Sequence, residues 1–379
     1  LIGLNAMGHS IFRAMDIAQE FKKKGKVVFI GGYMASMNPD YVLKAFDSVV
    51  IGDAEISFPQ LLSDFETNGI LKKKYNNPVN DITGLPMPKY ELLLNKPIGK
   101  MLPVQASRGC PHLCSFCSIA SVCQGKYLHR KVDEVIKEIA EIRKLGFRRF
   151  LLVDDNMLSN TDFLNEFVTK LKPLRMKWSG QCTINLARNP SLLKKVAESG
   201  CEVLSIGLES VNQKGLNNVR KQWVKVDENS RLIKSLYQAG IVPKVQFMLG
   251  LDNDTIESIK DTYKFIMQHK IPYIRVYIIT PIPGTELHQQ YKDSSRLIHD
   301  ELIKYDSMTC VHYPQNMSPE KLNSMYWSLL EQLFSIRSIL VRTILNRRLI
   351  KTPIIGLTTL WINLQHRKHY NRKEMPTLG

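Results

Sequence analysis

The sequence predicts an α/β protein: a partial, six-unit parallel barrel, preceded by half of a second α/β domain and followed by a mainly helical C-terminal region. Three observations carry this reading. Six apolar runs rich in β-branched residues, at 102–106, 150–153, 178–184, 203–206, 242–249 and 274–279, alternate with segments of helical spacing. That alternation is the pattern of parallel strands joined by crossover helices. Three of those helices stop at Gly146, Gly200 and Gly240, each directly ahead of a strand, where the residue past a helix end needs left-handed backbone. Polar and turn residues then collect after the strands rather than before them, as on the functional rim of a βα barrel. Six units are too few to close an eight-unit barrel, so the curve is partial.

From the front, the apolar run Leu1–Ala6 predicts a strand cut from a larger sheet, with a portion ahead of it missing. Ile11, Met15, Ala18 and Phe21 mark one face of a helix. Strand 27–30 ends in Gly31-Gly32. A helix near 40–46 leads to strand 48–51 and then to Gly52-Asp53-Ala54-Glu55. Residues 1–68 make this first α/β unit. Residues 69–100, with Pro78, Pro86, Pro88 and Pro97, predict a linker over the surface. The barrel occupies 101–284. In its first helix Val132, Val135, Ile136, Ile139 and Leu145 share one buried face. Residues 285–379 form the C-terminal region, with a basic helix over 319–349 and a tail carrying Trp361, Tyr370 and many cations.

With 379 residues, 44% hydrophobic and 23% charged, the chain is an ordinary globular one with room for two domains. Its longest uncharged apolar window, 352–364, is too short to span a membrane. No basic segment followed by an apolar core opens the sequence. The formal charge of +17 is spread in short bursts (22–24, 72–74, Arg347-Arg348, Arg367-Lys368), which reads as a solvated surface rather than a nucleic-acid stripe. Nucleic acid is therefore not the expected partner.

The most informative stretch is Arg108-Gly109-Cys110-Pro111-His112-Leu113-Cys114-Ser115-Phe116-Cys117. Its C-x3-C-x2-C spacing puts three thiolates on one short loop, one fewer than the four that close an iron–sulfur cubane. The missing ligand leaves one metal position open, as catalytic sites do. A structural zinc site needs four ligands in two pairs, and neither His112 nor Cys123 completes a pair at ordinary spacing. Seven cysteines in the whole chain are too sparse, and odd in number, for a disulfide framework. Unrelated buried thiols remain the plain alternative. Thiol usage and an oxygen-sensitive site both place the protein in the reducing cytoplasm.

On the rim, Asp154-Asp155-Asn156 follows the second strand and Gly207-Leu208-Glu209-Ser210 the fourth. Asp254-Thr255-Ile256-Glu257 fits a capping-box-like helix start, and Pro281, Pro283 and Gly284 a turn. The pair Gly31-Gly32 permits close approach of a ligand, though two glycines are a weak signal.

The cysteine loop, the six βα units and their rim motifs together resemble the radical S-adenosylmethionine (SAM) enzymes over roughly residues 100–290. Residues 1–68 resemble the second half of the Rossmann-like cobalamin-binding domain of one large subgroup, with Gly31, Gly32 and 52–55 in its pattern. The stretch 280–319 is similar to a C-terminal domain of that subgroup, including hopanoid methylases. The resemblance implies that Cys110, Cys114 and Cys117 ligate a 4Fe–4S cluster whose open iron chelates SAM. One electron then cleaves SAM to methionine and a 5′-deoxyadenosyl radical, and the cofactor carries the hard chemistry. It implies further that Phe116 lies near the adenine, Asp154, Asp155 and Asn156 near the amino group, and Glu209 and Ser210 by the ribose or methionyl part.

The expected cofactors are the cluster, SAM and cobalamin, with flavodoxin or ferredoxin as electron donor. The expected reaction is cobalamin-dependent methylation of an unactivated carbon in a small molecule or lipid. The Asp-x-His-x-x-Gly loop of the cobalamin domain is absent, which the missing front portion explains; His9 reads as a surface residue. The basic C-terminal tail could rest on an anionic membrane surface. Two alternatives stand beside this: radical modification of RNA, and a nonenzymatic electron-transfer protein with Cys123 as fourth ligand.

Overall fold

The computed structural model describes residues 1–376 apart from His9, Asn95, Pro97, Ile98, Lys100, Asp300, Arg347, Arg348, Ile350, Lys351 and Thr352. The expectations for His9, Pro97 and the Arg347-Arg348 pair lie outside the described residues. The chain groups into two compact units, one of residues 1–82, 111–126 and 280–313, the other of 83–110, 127–279 and 314–379. They cut across the four consecutive stretches expected from sequence. The reason lies in short polar ties inside the first unit: Leu287 N–H donates to the Ser115 carbonyl at 2.9 Å, and Asn38 Nδ2 to the Pro283 carbonyl at 2.7 Å.

The first unit begins with β1 (Ile2–Asn5), α1 (Ser10–Lys23), β2 (Val28–Gly31), α2 (Tyr33–Met37), α3 (Pro39–Val42), β3 (Ser48–Val50), α4 (Ala54–Asn68) and β4 (Lys74–Tyr75). The strands are parallel and lie side by side in chain order. Ile11, Ala14 and Ala18 of α1 bury one helical face against Val28, Ile30, Val42, Phe46 and Val49, as their spacing requires. The helix expected over 40–46 is shorter: α3 ends at Val42, and a turn carries Phe46 into the core. Residues 69–82 are not a plain surface linker either. β4 extends the sheet, and Tyr75 and Ile82 are fully buried.

In the second unit the chain runs through β5 (Met101–Val104) and β6 (Ser107–Gly109), then α5 (Ser118–Cys123) in the first unit, and back to β7 (Tyr127–His129). The βα succession follows: α6 (Val132–Lys144), β8 (Arg149–Leu152), α7 (Thr161–Leu171), β9 (Lys177–Gln181), α8 (Pro190–Glu198), β10 (Cys201–Glu209), α9 (Gln213–Asn218), α10 (Asn229–Gln238), β11 (Val242–Leu249), α11 (Ile256–Gln268) and β12 (Tyr273–Ile278). After α12 (Glu286–Asp293), in the first unit, come α13 (Pro319–Leu333), α14 (Ile336–Arg342) and α15 (Pro353–Asn371). Among the described residues the main sheet has six parallel strands in the order β5-β8-β9-β10-β11-β12, the six runs expected. β6 and β7 form a small antiparallel pair.

The two faces of the main sheet differ. Leu102, Val104, Phe150, Trp178, Leu204, Ile206, Val245, Phe247 and Val276 fill one face and are buried. The alternate residues, including Met101, Leu151, Ser205, Lys244 and Gln246, are exposed or half-buried. α15 and the residue Leu349 ahead of it cover part of that second face: Ile355 and Leu349 pack on Val242, with Val203 and Tyr273 beside them.

Helix ends follow the glycine signals, since Gly146, Gly200 and Gly240 have φ of 94°, 102° and 86°. Gly200 is the tightest, because a Cβ there would lie 2.0 Å from the Met176 carbonyl oxygen. Gly200→Ala is therefore expected to cost more than the about 1–3 kcal/mol of a strained backbone alone, read as a lowered urea midpoint. The helix expected over 319–349 is broken. Ser335 Oγ accepts Ser338 N–H at 3.2 Å and starts α14, a capping signal hidden in an otherwise helical run. The tail around Trp361 is itself helical.

Candidate functional site

Each cysteine sits where a short local structure puts it. Cys110 directly follows β6, whose pairing with β7 closes the base of the loop. Beneath that pair, Arg130 Nη1 donates to Glu138 Oε2 at 2.6 Å and to the Gln105 carbonyl at 3.0 Å. Glu138 Oε1 accepts the Tyr90 hydroxyl at 2.7 Å. This buried network braces the strand leading into the loop, and no sequence pattern announced it. In the first unit, Cys117 N–H donates to the Cys114 carbonyl at 3.0 Å, and Cys117 is the N-cap residue of α5. Cys114 and Ser115 are buried and Phe116 half-buried; the Ser115 Oγ has no hydrogen-bond partner.

None of the seven cysteines forms a disulfide. Among the described residues no three Cys, His, Asp or Glu side chains converge on one point fit for a metal ion. A cubane does not ask for that, because each thiolate binds a different iron. The donor set, three thiols on one eight-residue loop, is the kind iron–sulfur clusters use.

The acidic rim residues hold the loop's base. Asp154 Oδ1 accepts Ala106 N–H at 2.8 Å and Oδ2 the Ser107 hydroxyl at 2.5 Å. Burial pushes its carboxyl up to about 6, against the lowering by those bonds. Asp155 accepts Gly109 N–H at 2.7 Å. Asn156 Nδ2 lies 3.8 Å from Cys110 Sγ, while its Oδ1 accepts Leu158 N–H and Thr183 N–H at 3.3 and 3.4 Å. Asp154 thus braces β6, and Asn156 reaches a cysteine.

Glu209 ends β10 with φ +64°, a left-handed conformation uncommon for a residue with a side chain and frequent at functional sites. Lys221 Nζ donates to its Oε1 at 2.7 Å, and both side chains are buried. Glu209 Oε2 has no hydrogen-bond partner. Gly207 makes the pair possible, as a Cβ there would lie 2.1 Å from Glu209 Oε1 and 3.1 Å from Lys221 Nζ. Lys221 escaped the sequence reading because it lies twelve residues from Glu209 with no periodic link. Ser210 Oγ accepts Asn212 N–H at 2.9 Å.

The remaining motifs find structural uses. Gly32, φ +99°, lets β1 approach: a Cβ would lie 2.2 Å from Asn5 Oδ1. Gly31 has only ordinary contacts with Val50. Gly284, φ +92°, is pressed on Met37, so the Pro281–Gly284 segment makes a packing turn. The capping box starts one residue later than expected, because Thr255 and Ser258, not Asp254 and Glu257, exchange the reciprocal bonds at 3.2 and 2.9 Å.

Asp254 instead accepts Gly250 N–H, Leu251 N–H and the Ser258 hydroxyl at 2.9, 3.1 and 3.3 Å, locking the turn after β11. Burial raises its carboxyl from 3.8 to about 6. Between those values the native state keeps a proton that the unfolded chain has lost, so this group's contribution falls as pH rises through about 4 to 6. That difference corresponds to about 3 kcal/mol. Asp254→Asn is expected to flatten the pH dependence of the melting temperature in that window.

Comparison with known proteins bears on the whole arrangement. Residues 104–266 match the Radical SAM superfamily. The chain is 29% identical over 337 residues to bacteriochlorophyllide d C-12(1)-methyltransferase of Chlorobaculum tepidum, covering 87% of this chain and 73% of that protein. It is 28% identical over 291 residues to the hopanoid C-2 methylase of Rhodopseudomonas palustris, covering 72% of this chain and 54% of that protein. In fold it resembles a radical SAM methyltransferase from Kitasatospora setae, solved with cobalamin and a 4Fe–4S cluster bound. The TM-score is 0.68 at 14% identity, over 86% of this chain and 78% of that one.

Proposed function

We propose, on the premise that this chain is a radical SAM enzyme, that it methylates an unactivated carbon of a small molecule or lipid with the help of cobalamin. The observation that carries the proposal is the C-x3-C-x2-C loop standing directly after the first strand of a six-stranded parallel sheet. Cys110, Cys114 and Cys117 would hold the cluster, which when bound supplies the electron that cleaves SAM. Asn156 would steady the Cys110 sulfur, and Asp155 would fix Gly109 at the loop's base. Glu209, held by Lys221, would offer its second oxygen to SAM. Residues 1–82 would carry the cobalamin face, with Gly31-Gly32 at the end of β2. The names of the relatives favour a tetrapyrrole or a polycyclic lipid as the molecule methylated. The electron donor would be a small flavin or iron–sulfur protein.

The test is anaerobic. The protein, reconstituted with iron, sulfide and cobalamin, is given reductant and SAM carrying a labelled methyl group. Label passing to cobalamin, together with 5′-deoxyadenosine, supports the reading. Nucleoside without labelled cobalamin would move the protein to a radical reaction other than methyl transfer.

Among the described residues no helix is long and apolar enough to cross a membrane. Peripheral contact is a separate matter. The outer face of α15 exposes Ile354, Leu357 and Trp361 at 65%, 68% and 51%, at three- and four-residue spacing, with Lys368 and Arg372 exposed further along. An exposed apolar stripe with cations beyond it can rest on an anionic lipid surface, although the helix as a whole is only weakly amphipathic. Burying Leu357 and Trp361 in lipid would contribute about 1.5–3 kcal/mol each. The double substitution Leu357→Ser, Trp361→Ser is expected to lower sedimentation with anionic vesicles at least tenfold; unchanged sedimentation would leave α15 a packing helix only.

A further inference from the structure

The second face of the main sheet carries a signal that the cysteine chemistry does not use. A parallel sheet covered on both faces has apolar strands throughout, yet here the alternate residues change character across the sheet. On β5 and β8, Met101 and Leu151 are 44% and 39% exposed, and Val153, just past β8, 42%. On β10 and β11 the same face shows Ser205, Lys244 and Gln246, with Gln246 Nε2 donating to Ser205 Oγ at 3.1 Å. Ser205 and Lys244 are register partners, as are Lys244 and Tyr273 of β12.

Lys244 is the anomaly. It is half-buried, and among the described residues its ammonium has no ion-pair or hydrogen-bond partner. The nearby charge is of like sign: burial first, and Arg275 second, hold the lysine below its ordinary range. The two carboxylates of β10 are already engaged, Glu202 by Arg149 at 3.1 Å and Glu209 by Lys221 at 2.7 Å. Arg275 donates to the Pro376 carbonyl at 3.4 Å. The void between Lys244 and α15, lined by Asn363 and His366, measures about 10 Å³, room for a single water. A ligand group therefore reaches Lys244 over the face itself, where Ser205 of β10 and then Gln181 of β9 follow in register, with Leu151 and Val153 on the β8 side and Met101 on β5 farther across. From β8 to β11 is three strand spacings, about 14 Å along the sheet.

We propose that Lys244 anchors the acid group of an amphipathic substrate whose apolar body lies across Met101, Leu151 and Val153. A span of about 14 Å along the sheet fits a polycyclic or tetrapyrrole acid. The inference rests on the methyltransferase reading only in calling this ligand the substrate. A half-buried cation on a face with an apolar patch gives a carboxylate an ion-pairing, charge-assisted partner, whereas the corresponding ester offers it only a neutral carbonyl acceptor.

The probes are a dicarboxylic porphyrin and its dimethyl ester, titrated into the reconstituted protein and followed by porphyrin fluorescence. The parent should bind the acid about ten- to a hundredfold more tightly than the ester, the worth of one hydrogen bond to a charged group. Lys244→Gln should abolish that preference, and Lys244→Arg should retain most of it. Iron content and SAM affinity, measured on each variant, should stay at the parent level and so separate loss of the anchor from misfolding. Equal affinity for acid and ester in the parent, or an undiminished preference in Lys244→Gln, overturns the proposal. An intact acid preference in a protein that transfers no methyl group would keep the anchor and remove the methyltransferase reading. Methyl transfer without acid preference would do the reverse.

Discussion

Cys114→Ala is expected to reduce 5′-deoxyadenosine formation to the background of the assay and to lower bound iron with it. Cys114 is 7% exposed and lies between the other two cysteines of the motif. Truncating so small a side chain leaves a correspondingly small cavity, with a cost of about 1 kcal/mol. Lost activity in a variant that still melts cooperatively is therefore loss of a ligand and not of the fold. Cys123→Ala provides the contrast. Cys123 closes α5, outside the C-x3-C-x2-C spacing, and its loss should leave both iron and SAM cleavage unchanged. If Cys123→Ala instead removes the iron, the site has four thiolates and no open position, and the electron-transfer alternative takes over.

Much of this was legible beforehand, for a physical reason. The six strands show because a face buried under helices demands long apolar runs, and the helix ends show because Gly146, Gly200 and Gly240 take φ values that side chains resist. The cysteine loop shows because its ligands are close in sequence. What stayed hidden depends on distance in the chain. Lys221 meets Glu209, and Glu138 meets Arg130 and Tyr90, through folding alone. Asp154 and Asp155 looked like ligand groups, and both Asp154 oxygens and one of Asp155 accept from the backbone and side chains around β6. Gly32 looked like a ligand contact, and the structure adds a packing reason for it in the Asn5 side chain beside it. Lys244 and Gln246 did carry a signal. Polar residues at alternate positions of a strand whose other face is buried mean that the first face is open, and period-two reading of β11 would have found them.

The ion pair at the end of β10 yields the second large effect. Lys221→Met is expected to cost about 3–5 kcal/mol, because it leaves the Glu209 carboxylate buried beside Gly207 with no countercharge. The melting temperature should fall by several degrees. Adding Glu209→Gln removes the orphaned charge, and replacing both members of a buried pair is commonly neutral, so the double variant should regain most of the lost stability. Binding of labelled SAM by equilibrium dialysis then separates two roles. If the pair serves only the fold, the double variant binds SAM as the parent does. If it exists to present the second Glu209 oxygen to SAM, the double variant is stable and binds SAM weakly. The left-handed backbone at Glu209, the absent side chain at Gly207 and the unsatisfied Oε2 favour the second outcome. A pair kept for stability alone would have needed none of the three, since well-packed apolar residues hold such a corner at least as well.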